Sequence, residues 1–184
     1  MSRSFEFTAG SLALNFVDTV ASRGGTPEDL FATPYDLTRW LLLAGFGQTV
    51  LIDSEQLETA KDVREAAHGI LSAVADGRAT PQADIATLNA CALHQDLRPQ
   101  YVGGVVVFVS GHPFEAVLSQ IAADALLLLQ ENNARRLRRC PECAMLFIDQ
   151  SPPGKRRWCS SSSGCGNRAK VRRHRERKRL EGTK

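Results

Sequence analysis

The chain has 184 residues, 43% of them hydrophobic, and a formal net charge of +3. That length accommodates one domain of ordinary size plus a small module, with enough apolar residues for a core. The modest net charge hides a split. Residues 1–134 hold 7 Lys/Arg against 16 Asp/Glu, a balance of −9, whereas residues 135–184 hold 16 against 4, a balance of +12. An acidic body with a basic end is an expected layout for a nucleic-acid-binding module attached to a separate domain, and it also fits a membrane-surface or ribosome-facing arm. Arg3 is followed by no apolar h-region, because Glu6, Asn15 and Asp18 interrupt it. The longest apolar stretch, Ala116 to Leu129, is too short to span a bilayer and contains Gln120 and Asp124. A cytoplasmic protein with no membrane partner is expected.

Leu12, Leu14, Phe16, Val17 and Val20 fit a short helix with one apolar face, though the alternation also permits a strand. Three Thr-Pro pairs, at Thr26-Pro27, Thr33-Pro34 and Thr80-Pro81, match the start of a helix with proline at its first position. The second opens a helix through Leu37, Trp40 and Leu41 that Gly45 stops. The third opens one through Ile85, Leu88 and Ala92. Between them Asp53 caps a long helix with Gln56 reaching back, and Gly77 ends it. Tyr101 to Val109 is the strong β signal, two runs around Gly103-Gly104 that suit a tight hairpin. The second run is almost wholly apolar, which predicts cover on both faces. A last helix of the body starts near Pro113 and runs to about Leu128. The boundary is placed at residue 134, so residues 1–134 form a mostly helical α+β domain with a small sheet. Cys91 sits in an apolar helical pattern and reads as a core residue.

Four other cysteines follow. Cys140 and Cys143 are two residues apart, fifteen residues separate Cys143 from Cys159, and five separate Cys159 from Cys165. Two close pairs joined by such a loop are a usual zinc pattern. Met145 to Asp149 can be a strand, Ser151-Pro152-Pro153-Gly154 a turn, and Arg156-Arg157-Trp158 a returning strand. The order knuckle, hairpin, helix is that of a treble-clef finger. Four thiolates leave no open position, so one structural Zn²⁺ per chain is expected. A redox dithiol at Cys140/Cys143 and an iron–sulfur site are the alternatives.

From Cys165 the chain reads as a basic helix. Arg168, Arg172, Arg175 and Arg179 share one stripe, and Lys170, Arg173 and Arg177 lie opposite. With Arg156, Arg157 and Lys178 these are the candidate nucleic-acid contacts, since arginine's planar fork suits phosphate and guanine. Docking of the helix on the acidic body or on a partner, and a solvated tail, are the alternatives.

Cys140-Pro141-Glu142-Cys143, Arg157-Trp158-Cys159-Ser160 and Cys165-Gly166-Asn167-Arg168-Ala169-Lys170 resemble the CGNR zinc finger. Leu12 to Thr19 is similar to the opening motif of the ABATE domain that precedes that finger in bacterial proteins described as stress-induced transcription regulators. The resemblance implies a zinc-dependent DNA-binding regulator with a sensory or assembly domain in front, its effector a small molecule or a protein. There are two departures: Asn15 and Asp18 are exchanged relative to the family, and the Cys159–Cys165 gap is one residue longer. Asn15, Asp18 and Arg23 are the candidate effector contacts. An RNA- or ribosome-associated zinc protein is the alternative function. No HExxH, GxSxG or phosphate-cradling loop occurs, and His68, His94 and His112 lack catalytic spacing, so no enzyme is expected.

Overall fold

The computed structural model describes residues 4–46, 51–94, 97–162 and 164–181. Arg3, read above with the N-terminus, and Ser163 of the serine run lie outside them. Ser11 caps the first helix, α1 (Leu12–Val17), its hydroxyl accepting from the Leu14 amide at 3.2 Å. Asp124 reaches across and accepts from the Ala13 amide at 2.7 Å, satisfying a further N-terminal donor. Two short strands follow, β1 (Val20–Ala21) and β2 (Glu28–Asp29), paired antiparallel. Thr26-Pro27 therefore opens no helix. Pro34 begins the next helix seven residues on, which leaves too little chain for a stable one. The extended backbone instead delivers the Asp29 carboxylate to Arg64.

Thr33-Pro34 starts α2 (Pro34–Leu43) with a capping box to Asp36. Asp53 caps α3 (Ser54–Ala75), the Gln56 amide donating to its carboxylate at 2.8 Å while the Gln56 side chain accepts from the Asp53 amide at 3.1 Å. Gly77, at φ +66°, ends it with the Arg78 amide bonded to the Ala73 carbonyl. That is the left-handed stop expected of glycine. The next helix, α4 (Gln82–Cys91), starts one residue later than Thr80-Pro81 implies, with Pro81 itself as the cap. Cys91 is half-buried beside the core, and burial pushes its thiol up to about 11.

The hairpin forms as β3 (Arg98–Val102) and β4 (Val105–Val109), turning on Gly103 and Gly104 at φ +59° and +89°. Cover on both faces does not materialise. Val105, Val106 and Phe108 remain 58%, 60% and 37% exposed, and only Val107 and Val109 are half-buried. An all-apolar run signals a strand but does not say what packs on it. After α5 (Pro113–Leu127) and a turn of helix, α6 (Glu131–Ala134), come β5 (Leu137–Arg139), β6 (Leu146–Ile148) and α7 (Cys165–Glu181).

The body is thus helical with small two-stranded sheets, an α+β fold whose C-terminal cysteine cluster ends in a helix. Its core joins α1, α2, α3 and α5 around Leu14, Phe16, Leu37, Trp40, Ile70, Leu71 and Ile121. Phe16, Phe31 and Trp40 meet with ring centroids 5.1–6.2 Å apart, each contact contributing about 0.5–1.5 kcal/mol beyond burial. Leu137, Leu146 and Phe147, from the far side of residue 134, belong to the same core.

Candidate metal centre and basic helix

The hairpin expected between residues 145–149 and 156–158 does not form. β6 pairs with β5, Leu137 opposite Ile148 and Arg139 opposite Leu146, and residues 156–158 form no strand. Leu137-Arg138-Arg139 lies inside a run of arginines, which conceals a strand. The turn of this hairpin is the cysteine knuckle itself. The Cys140 amide donates to the Met145 carbonyl at 2.8 Å, and the Ala144 amide to the Cys140 carbonyl at 2.9 Å. Ala144 takes φ +61° to close the turn. Asp149 then organises the return. Fully buried, it accepts from the Ser151 amide and hydroxyl at 2.9 and 2.6 Å and from the Arg156 amide at 2.8 Å. The Ser151 hydroxyl leads in holding this carboxyl below its ordinary range. The Asp149-Gln150-Ser151 spacing is an Asx turn, the sequence signal that could have revealed it.

The four sulfurs of Cys140, Cys143, Cys159 and Cys165 lie within 4.8 Å of one another. Cys143 and Cys159 are 3.6 Å apart at sulfur. A tetrahedral Zn–S₄ set with bonds of about 2.3 Å requires sulfur separations near ~3.8 Å, so the donors fit one zinc ion. Cys140 and Cys165 are each 1% exposed and Cys159 9%, with Cys143 half-buried. A hydrogen bond from Cys143, aided by the Ser161 hydroxyl, holds the Cys159 thiol below its ordinary range. The corresponding Cys143 thiol moves up, because it is the donor of that pair. Zinc, when bound, supplies the charge that keeps all four as thiolates and closes the site to further ligands. The longer Cys159–Cys165 gap is taken up in a turn. The Gly164 amide bonds the Ser161 carbonyl at 3.1 Å, and Gly164, at φ +61°, presents its own carbonyl to Asn167 and Arg168 at the start of α7.

Cys165 is the first residue of α7, where the helix dipole favours a thiolate. Arg168 donates to its sulfur at 3.2 Å. Ala169 is buried, and Trp158 packs over Gly166. From Lys170 to Leu180 every residue is exposed. Arg172 pairs through both guanidinium nitrogens with Glu142 on the knuckle, one bond measuring 3.0 Å. Arg177 lies 3.3 Å from the His174 ring. Lys170, Arg173, Arg175, Lys178 and Arg179 stand on the exposed surface. Arg156 turns inward: it donates to the Trp158 carbonyl at 2.7 Å and stacks 4.8 Å from the Phe147 ring. Arg157 is exposed, 5.3 Å from the Trp158 ring.

The N-terminal candidates separate. Asn15 is a tie within the fold, its side-chain oxygen accepting from the Ala9 amide at 3.1 Å. Asp18 and Arg23 converge with His68 on a cavity of about 10 Å³, closed on the other side by Cys143, Met145 and Leu146. That volume is of the order a single water occupies. Burial, then the nearby Cys159 and Glu6, push Asp18 up to about 8. Arg23 forms a two-pronged pair with Glu65 at 2.8 Å. These residues therefore lie on the seam between body and finger. The seam has further ties with no sequence signal: Arg139 on Asp76 at 2.9–3.0 Å, and Ser162 on Glu6. Gly24 comes so close that an added Cβ would meet Ala144 at 3.1 Å.

Two family models match the chain. One, ABATE, described as "Putative stress-induced transcription regulator", covers residues 10–132, and the other, the CGNR zinc finger, covers residues 136–178. No curated protein matches it.

Proposed function

The chain belongs to the ABATE family and carries a CGNR zinc finger, and from that premise we propose a zinc-dependent transcription regulator that binds duplex DNA through α7. The observation that carries the reading is the way α7 leaves the metal centre. Its first residue is a ligand, and its arginine-rich length beyond Ala169 is exposed. A helix of 17 residues is about 26 Å long and of a width the major groove admits. Arginine stripes on two opposite sides let such a helix meet phosphates on both walls of the groove. Glu142 fixes the Arg172 fork relative to the knuckle, which sets the register of the helix on whatever it binds.

In this reading residues 1–134 serve sensing or assembly and carry no catalytic site, and the protein works in the cytoplasm. Among the described residues no helix is long and apolar enough to cross a membrane. The test is a salt titration of duplex DNA binding by the zinc-loaded chain. If five or six phosphates are engaged, the log–log slope is roughly −5. Chelation of zinc abolishes the binding. A flat salt dependence, or stronger binding to structured RNA at equal salt, sinks the proposal.

A further inference from the structure

The β3–β4 hairpin is the part of the body that this function leaves unused. Every residue of β3 is exposed, and β4 has only two half-buried residues. A lone two-stranded hairpin is marginal in water, and stability asks for a third strand or a covering layer. Apart from Arg98 and Gln100, its exposed side chains are apolar, among them Tyr101 77%, Val102 57%, Val105 58%, Val106 60% and Phe108 37%. They stand on both faces of the hairpin, Tyr101, Val106 and Phe108 on one and Val102 and Val105 on the other, so neither face is fully covered.

The backbone decides which edge can accept a partner. In a hairpin with a two-residue loop the closing pair, Val102 and Val105, exchanges hydrogen bonds, and the pattern then alternates. The pairs Tyr101–Val106 and Pro99–Phe108 therefore turn their backbone groups outward. Pro99 has no amide hydrogen, so the outer edge of β3 lacks a donor. The outer edge of β4 is complete, with amide and carbonyl of both Val106 and Phe108 directed away from β3.

Charge narrows the occupant. Arg98, at the open end of β3, is the hairpin's one basic residue, and no Lys or Arg follows from Pro99 to Ala134, so this surface offers little to nucleic acid or to an anionic membrane. β4 itself, Val-Val-Val-Phe-Val, is uncharged and is centred on Val107. An antiparallel copy of the same strand, related by a two-fold axis at Val107, sets Val106 opposite the second copy's Phe108 and Phe108 opposite its Val106. All four outward amides and carbonyls of each Val106/Phe108 set are then paired.

We propose that β4 is a dimerisation strand, which joins two copies of this chain through a four-stranded antiparallel sheet centred on Val107. The contact is isologous, the form a two-fold dimer requires. It is independent of nucleic-acid binding and is measured without DNA.

The experiment is the mass of the full zinc-loaded chain by sedimentation equilibrium, for the wild type and for Val106→Lys and Phe108→Lys. The wild type is expected at twice the chain mass. The lysine variants, each of which sets an ammonium against an apolar neighbour of the second copy, are expected at the chain mass with zinc content unchanged. The register has its own readout. In this pairing Val107 faces the second copy's Val107 as a non-hydrogen-bonded pair, with Cα atoms about 4.5 Å apart, so Val107→Cys forms an intermolecular disulfide that the wild type does not. A wild type that stays at the chain mass at every concentration overturns the proposal. So does a dimer that survives both lysine variants, or a Val107→Cys protein that does not cross-link beyond the wild type. A wild-type dimer that fails to bind DNA leaves this proposal standing and removes the DNA reading alone.

Discussion

Arg64 is 2% exposed, an unusual position for a charge, and its surroundings explain why it is tolerated. Its guanidinium donates twice to Asp29 at 2.8 Å, to Thr19 at 3.2 Å and to Glu65 at 3.1 Å, and lies over the Phe31 ring at 5.4 Å. Arg64→Ala leaves the Asp29 carboxylate with the Phe31 amide as its remaining donor and takes the Arg64 donor from the Thr19 hydroxyl. Because Asp29 is partly exposed, the expected loss is roughly 2–3 kcal/mol, below the full cost of breaking a buried pair. A urea-unfolding loss under about 1 kcal/mol would show the pair to be dispensable. Partial burial is the strongest single influence on the Asp29 carboxylate and raises it, but the hydrogen bonds from Arg64 and the Phe31 amide and the charges of Arg64 and Lys61 together hold it below its ordinary range. Its contribution is therefore present at neutral pH and is lost as pH falls through the depressed folded value. His68 acts in a different window. Burial first, then Arg23, lowers it to about 4, and its Nε2 has no hydrogen-bond partner. A folded value below the unfolded one of about 6.5 means stability is full above pH 6.5 and declines as pH falls toward 4. His68→Gln should flatten the decline by roughly 1–2 kcal/mol at pH 5, once solvent screening is allowed for. Parallel stability curves for the two proteins between pH 7 and pH 5 would refute it.

At the scale of elements, the caps show what a sequence carries openly. Asp53 and Gln56 are three residues apart, and Gly77 follows its helix directly, so each signal and its partner are local. The four ligands are legible for the same reason, through spacing. What escapes is anything whose partner is distant. β5 is hidden among arginines because its pairing strand lies beyond the knuckle, and Arg64 meets Asp29 thirty-five residues away. This has a consequence for the metal. A finger of such size depends on zinc when it stands alone. Here Leu137 and Phe147, at 1% and 0% exposure, are held by the body's core, whereas α7 is fastened by Cys165, Ala169 and the Glu142–Arg172 pair. Chelation should therefore release α7 while β5 and β6 stay docked. Hydrogen exchange after chelation is expected to lose protection across residues 165–181 and to keep most of it across 137–139 and 146–148. Equal loss in both places would mean that the metal, not the body, holds the hairpin.

Across the whole molecule, charge and packing draw different lines. Charge divides the chain at residue 134, and this was plain from composition. Packing crosses that line, because the apolar faces that meet there belong to segments far apart in sequence. β5 and β6 lie on α3, the Ile148 amide donates to the Ala9 carbonyl at 2.8 Å, and Arg139 clamps Asp76 at the end of α3. Gly10, at φ +97°, lets the N-terminal segment come within reach of Ile148, where an added Cβ would meet that side chain at 3.3 Å. Two units that share a core cannot unfold separately without exposing it. The zinc-loaded chain should melt in one calorimetric transition, with van't Hoff and calorimetric enthalpies equal. Asp76→Ala removes one partly exposed tie, worth about 0.5–1 kcal/mol, and should lower the midpoint without splitting the peak. Leu137→Ala and Phe147→Ala remove the shared core instead. Each should cost about 2–5 kcal/mol and bring the body's melting down with the finger's. A finger that melts in its own peak while the helices of the body persist would show that the shared core is not the link, and that the charge boundary is the mechanical one as well.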